Sequence, residues 1–283
     1  MSIDEQGFLS PEIAAWIGKH RAENRAWFTL AMDLNSVAQQ ELLLLEVPLE
    51  DEKAVLATLL FVRGLSSFQA AILLAERGMT QDARTIARSC FESVFFFGAL
   101  RKDRDFLGKF EKHDVHSKKK LANALLAGGL KLEAEVTEKL SQFRDDLERS
   151  GVKAESPNVW QAAKSAGLGG VYDVFYRGLS NDAAHPSLTA LNSYLDVDKN
   201  KEIKGFRGGP DVTDVEETLF ASCTASGYLV AWMAESAATW GTASLRAKVH
   251  SEGGLRSRQK TQVSVASNQP RSRSVSQRQR KTG

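Results

Sequence analysis

Cysteine is scarce in this chain, two in 283 residues. Cys90 and Cys223 each sit inside an apolar helical pattern ("ARSCFESVFFF" and "LFASCTASGYL"), with no partner at metal-ligand or disulfide-framework spacing. That excludes a disulfide-stapled scaffold, and two buried free thiols fit a reducing, cytoplasmic setting. Strand-like alternation over several residues is hard to find, which argues against a sheet-built fold. The most apolar segments, 91–100 and 228–240, are too short or too interrupted to span a bilayer, so no membrane span is expected. The opening "MSIDEQGFLS" lacks the basic-then-apolar order of a signal peptide.

Several reaction signatures are missing as well. There is no G-x-x-x-x-G-K-[ST] or G-x-G-x-x-G phosphate loop and no G-x-S-x-G elbow, and "GLGG" at 167–170 reads as a helix connection. P-loop nucleotide hydrolysis and serine hydrolysis are therefore disfavoured. Di-metal helical bundles use paired Glu-x-x-His motifs, and the sequence has none. The cluster "KFEKHDVHSKKK" brings His113 and His116 beside Glu111 and Asp114, but Lys118, Lys119 and Lys120 oppose a cation there. It reads as a solvated helix face, with no metal and no cofactor expected. Neither an internal repeat nor a sustained heptad pattern is present.

The last 28 residues, 256–283, contain eight arginines and lysines and no acid, while the whole chain carries a formal charge of only +2. The body is thus net acidic and the end basic. From about Ser251 the composition turns to Ser, Arg, Gln and Gly, which cannot bury enough surface to offset ordering entropy, so disorder is expected. Such a tail attracts nucleic acid or anionic lipid by counterion release, or serves only as a solubilising end.

What fills the rest is helix. Long stretches of Ala, Leu, Glu, Arg and Gln are punctuated by glycine and proline, and 42% hydrophobic residues suffice for a core. Ser10, Pro11 and Glu12 open a helix running to about Glu46. Pro48 and the acids that follow restart a second, ending at Gly78. Thr80 caps a third, to about Leu100, extended or resumed as far as Gly128. A charged surface helix (131–149), a short one near Trp160, the helix around 171–188 and a last one over 212–240 follow. The fold expected is all-α: a flexible arm at 1–10, a mostly antiparallel helical bundle at 11–241, and a basic, disordered tail at 242–283.

One stretch of this bundle carries chemistry. In "VYDVFYRGLSNDAAHPSL", Arg177, Asn181 and His185 are spaced i, i+4, i+8, as are Arg84, Arg88 and Glu92 in "ARTIARSCFESVFFF". Two such stripes can face each other. In one account they form a structural network, with Glu92 neutralising Arg88 or Arg177. In the other, Arg84, Arg88, Glu92, Tyr176 and Ser180 bind substrate while Arg177, Asn181 and His185 act on it. Arginine supplies a permanent charge for phosphate, and histidine moves a proton near neutral pH. Those groups suffice for metal-free attack by a ribose 2′-hydroxyl on its own phosphate. The pocket expected has Tyr176, Arg177 and Ser180 or Asn181 meeting Arg88 and Glu92, with His185 at its rim where Pro186 bends the chain.

The pattern Gly78, Asp82-Ala83, Arg88-Ser89-x-x-Glu92, then Tyr176-Arg177-x-Leu179-Ser180 and His185-Pro186-Ser187, resembles a family of mostly bacterial helical proteins catalogued as a domain of unknown function. More distantly, the bundle and its Arg-to-His element resemble the HEPN group, many of them RNases of toxin, phage-defence and CRISPR systems. Their signature places four to six residues between the arginine and the histidine, often with a polar residue after the arginine. Here seven residues intervene, and Gly178 follows Arg177. The resemblance implies a metal-independent RNase or RNA-binding relative, RNA as partner through the pocket or the tail, and a homodimer. The alternative class is a non-enzymatic scaffold or regulator recruiting a partner through the tail or the last helix.

Overall fold

The computed structural model describes residues 2–129, 131–149, 158–180 and 187–263, with the side chains of 189 and 241–263 outside the description. Within these, the chain is helical apart from one small hairpin, as expected. Helices α1 (Ile3–Gln6), α2 (Ile13–Glu23), α3 (Arg25–Leu44), α4 (Glu52–Ala75), α5 (Thr80–Lys102), α6 (Phe106–Ala127), α7 (Ala134–Arg149) and α8 (Val159–Ala166) come first. Then follow α9 (Gly169–Val171), a π-type turn (Tyr172–Tyr176), α10 (Arg177–Leu179), α11 (Leu188–Asn192), strands β1 (Leu195–Val197) and β2 (Ile203–Phe206), and α12 (Val215–Val263). The chain divides into two compact units, Met1–Ala237 and Ala238–Gly283. All the side chains discussed below belong to the first.

The centre of that unit is the antiparallel pair α4 and α5. Asp51 caps α4 by accepting from the amides of Lys53 and Ala54. Gly78 ends it at φ +71°, with the Gly78 and Met79 amides returning to the carbonyls of Ala75 and Leu74. Phe61, Phe68, Phe91, Phe95 and Phe97 are fully buried between this pair and its neighbours. The first part of α12 lies close enough that a Cβ on Gly64 would stand 2.3 Å from Leu229. At Gly98 a Cβ would meet Ala166 of α8 and Trp232. The small residues noted in the last helix explain this approach: Ala221, Ser222, Ala225 and Ser226 are buried, and Ser222 returns its hydroxyl to the Thr218 carbonyl at 2.8 Å.

Several boundaries differ from the sequence expectation. The single helix placed from Ser10 to Glu46 is two, broken at Asn24, whose side-chain amide donates to the His20 carbonyl and competes with helix continuation. The arm at 1–10 holds a helical turn, with Ser2 and Glu5 forming a reciprocal cap. Thr80 does not cap α5; its hydroxyl donates to the Asp211 carbonyl instead. The last helix, expected to end near Trp240, continues to Val263, since Ala, Leu, Arg, Lys and Gln favour it; residues 264–283 lie outside the description. By length and composition α4 is apolar enough to cross a membrane, which the sequence reading missed. Its Phe61, Leu65, Phe68 and Ile72 are nevertheless buried in the protein. As expected, α7 buries none of its residues.

Both cysteines are buried and free. Burial pushes the Cys90 thiol up to about 12 and Cys223 up to about 11, so the reactive thiolate is suppressed at neutral pH. We expect neither thiol to react with an aromatic disulfide reagent in the native protein, and both to react once it is unfolded. A thiol whose folded pKa is raised contributes stability below its unfolded value near 9, and that contribution is lost as the pH rises towards 12. A urea-denaturation series should therefore show the midpoint falling above about pH 9.

Candidate functional site

Arg88 and Glu92 stand one turn apart on α5 and form an ion pair at 3.2 Å. The segment Tyr172–Ser180 lies against them. Its Tyr176 is buried, 6% exposed, and its hydroxyl both accepts from the Arg88 Nη2 and donates to the Glu92 Oε1 at 2.8 Å. The Arg88 Cζ also sits 4.5 Å from the Tyr176 ring centroid. Ser180, one turn on, accepts from the Arg88 Nε at 2.8 Å and donates to the Tyr176 carbonyl at 2.7 Å. Every nitrogen of the Arg88 guanidinium thus has a protein partner. Burial, and then the Glu92 carboxylate, raise the Tyr176 phenol well above its ordinary value, keeping it a neutral donor.

Aromatic packing fixes this segment to α5. Phe175 stacks on Phe91 with centroids 5.3 Å apart, and Tyr176 meets Phe95 edge-on at 5.9 Å. Tyr172 stacks on Tyr176 at 4.9 Å and packs against Trp160 of α8. The backbone here is wound wide, with the Arg177 amide donating to the carbonyl of Tyr172, five residues back. Such π-type turns recur at functional sites.

The structure brings four of the expected residues together, Arg88, Glu92, Tyr176 and Ser180, and leaves two apart. Arg177 does not join them. It follows Tyr176 directly, so it points about 100° away; its side chain is 64% exposed, pairs with Asp173 at 3.3 Å and lies over the Tyr172 ring. The sequence expectation places both Tyr176 and Arg177 on the inward face, but two adjacent residues of a helix do not share one face, and Tyr176 takes it. Arg84, one turn before Arg88, lines a separate cavity of about 240 Å³ with Val174, Phe175, Gly178, Glu217 and Phe220. Its guanidinium is buried and 3.7 Å from Glu217 of α12, a residue that no sequence motif singles out.

Asn181 and His185, with Pro186, lie outside the described residues. After them, the Ser187 hydroxyl caps α11 by accepting from the Ala190 amide at 3.1 Å. The hydroxyls and carboxylate of this network are engaged with Arg88 and one another, whereas the Arg177 side chain stands exposed outside it.

No curated protein and no solved structure matches the chain. A family match does exist, over residues 54–203, and it takes in the α4 and α5 pair, the Arg88, Glu92 and Tyr176 network and the first strand of the hairpin. The chain belongs to the family of unknown function DUF5677.

Proposed function

We propose that the protein binds RNA in the manner of HEPN-like proteins and cleaves it without a metal, with Arg177 rather than Arg88 taking the phosphate. The observation that carries this is the division of the arginines: Arg88 is saturated by Glu92, Tyr176 and Ser180, while Arg177 keeps a 64% exposed side chain on a segment those contacts hold rigid. An exposed guanidinium on a rigid element suits a phosphate oxygen. His185, eight residues on in sequence, supplies the base. It takes the proton of a ribose 2′-hydroxyl as that oxygen bonds to phosphorus and the bond to the 5′-oxygen breaks; the 5′-oxygen takes a proton from water, and the products are a 2′,3′-cyclic phosphate and a strand ending in a 5′-hydroxyl. The basic C-terminal segment adds sequence-independent attraction. A cytoplasmic setting is part of the same proposal.

The test is incubation of labelled single-stranded RNA with the protein in EDTA. Cleavage should fall at least ~100-fold in His185→Ala and in Arg177→Ala, the scale of a lost general base or phosphate contact. Since Arg177 is exposed and its pair with Asp173 is a surface one, Arg177→Ala should change stability by less than ~1 kcal/mol. A second reading, a non-enzymatic scaffold, is favoured by the same closed network, whose members satisfy one another as structural clamps do. Under it RNA is neither bound nor cut.

A further inference from the structure

We propose that helix α2 is an acid-released strap, held over the turn between α4 and α5 by the neutral imidazole of His20 and let go when that ring takes a second proton. It is independent of the RNA reading. The inward stripe of α2 is Ile13, Trp16, Ile17 and His20, spaced i, i+3, i+4, i+7. The first three are only half-buried, and His20 is the one residue of the helix that is buried, 1% exposed. The anchor of α2 is thus the residue type whose charge changes nearest neutral pH.

The ring is seated for its neutral form. It stacks on Trp16 with centroids 4.5 Å apart and meets the edge of Phe28 of α3 at 5.7 Å. The Asn24 amide nitrogen, which can only donate, lies 3.4 Å from Nδ1 and faces its lone pair. Nε2 is buried without a hydrogen-bond partner, since the nearby Ala75 carbonyl at the end of α4 does not close one. A second proton sets donor against donor at Nδ1 and puts a charge between two aromatic rings. Glu23 of α2 favours that charge, but it is exposed and pairs with Lys19 at 3.7 Å. On α4, Glu76 is held by Arg21 at 3.2 Å and by Arg77 at 3.1 Å. The charged groups of α3 within two turns of Phe28 are Arg25 and Asp33, both exposed. Burial outweighs the help from Glu23 and the Ala75 carbonyl and lowers the His20 pKa from 6.5. Docking of α2 therefore has its full strength above pH 6.5 and weakens as the pH falls below it, by about ten-fold per pH unit for one proton.

Release of α2 uncovers a specific place. Trp16 closes on the turn so tightly that a Cβ on Gly78 would stand 2.6 Å from its ring. Gly78 is also in the wall of a cavity of about 200 Å³, with Phe8, Asp82, Tyr194 and Arg207. The experiment follows hydrogen exchange of the full chain by mass spectrometry at pH 7.5, 6.0 and 5.0, corrected for the intrinsic pH dependence of amide exchange. Peptides covering 17–23 should lose protection about ten-fold or more between pH 7.5 and 5.0, while peptides covering 90–98 of α5 keep theirs. His20→Phe, which keeps an aromatic ring but does not titrate, should hold α2 equally at all three pH values. His20→Gln gives the same comparison where the phenylalanine fails to seat at pH 7.5. Unchanged protection of α2 in the parent overturns the strap. So does a loss that α5 shares, which is global acid unfolding, or one that the non-titrating variant reproduces.

Discussion

Replacing Glu92 by alanine should destabilise the protein by about 2–4 kcal/mol, because it leaves Arg88 and the Tyr176 hydroxyl without their shared acceptor. Both charged side chains are about three-quarters buried, so the loss falls at or below the range for fully buried pairs. In a unit of this size it should appear as a fall in melting temperature of several degrees. The partners also decide how mutations combine. Glu92→Ala with Arg88→Ala should cost clearly less than the sum of the two singles, since each already breaks the same network. Glu92→Ala with Arg177→Ala should simply add, because Arg177 pairs with Asp173 on another face. Strong coupling between Glu92 and Arg177 in a thermal-melt cycle would contradict the geometry.

Gly78→Ala should be at least as damaging, about 4 kcal/mol. Two independent costs meet there. The backbone is left-handed, at φ +71°, which an L side chain adopts only with strain. A Cβ would also stand 2.6 Å from Trp16, 2.8 Å from the Asp211 amide nitrogen and 2.9 Å from Pro210. Two of those neighbours are backbone, tied in place by the Asp211 amide donating to the Gly78 carbonyl at 3.0 Å. Urea denaturation of the variant should show a large fall in midpoint. A midpoint within experimental error of the parent would mean that the turn between α4 and α5 can be rebuilt freely.

Helices were legible wherever one face is apolar and the ends are marked, as with α4 between Asp51 and Gly78. The site was half legible. Arg88 and Glu92 do face the 172–180 segment, but through Tyr176 and Ser180 and not through Arg177 of the stripe that the spacing marks. Charge and spacing point Arg177 to that face as well, but adjacent helix residues diverge by about 100°, and the packing of Tyr176 against Phe95 decides which of the two turns inward. The wide turn at Tyr172–Tyr176 was not legible at all, since none of its five residues is a backbone breaker and its winding comes from packing against Phe91 and Phe95. The hairpin hid for a different reason. Its strands are largely exposed and its turn is charged, so no alternating apolar face marks it. It is held by Asp198 accepting from the amides of Asn200 and Glu202 and by Lys201 at φ 65°.

The central claim is a division of labour in which Arg88 supports and Arg177 contacts RNA. It is tested most directly by measuring both thermal stability and RNA affinity for Arg88→Ala and Arg177→Ala. The account predicts that Arg177→Ala melts with the parent and loses at least ten-fold in affinity for single-stranded RNA, the scale of a lost charge-assisted contact, while Arg88→Ala melts several degrees lower. An Arg177→Ala protein that binds RNA as tightly as the parent, or an Arg88→Ala protein that melts with it, would contradict the account.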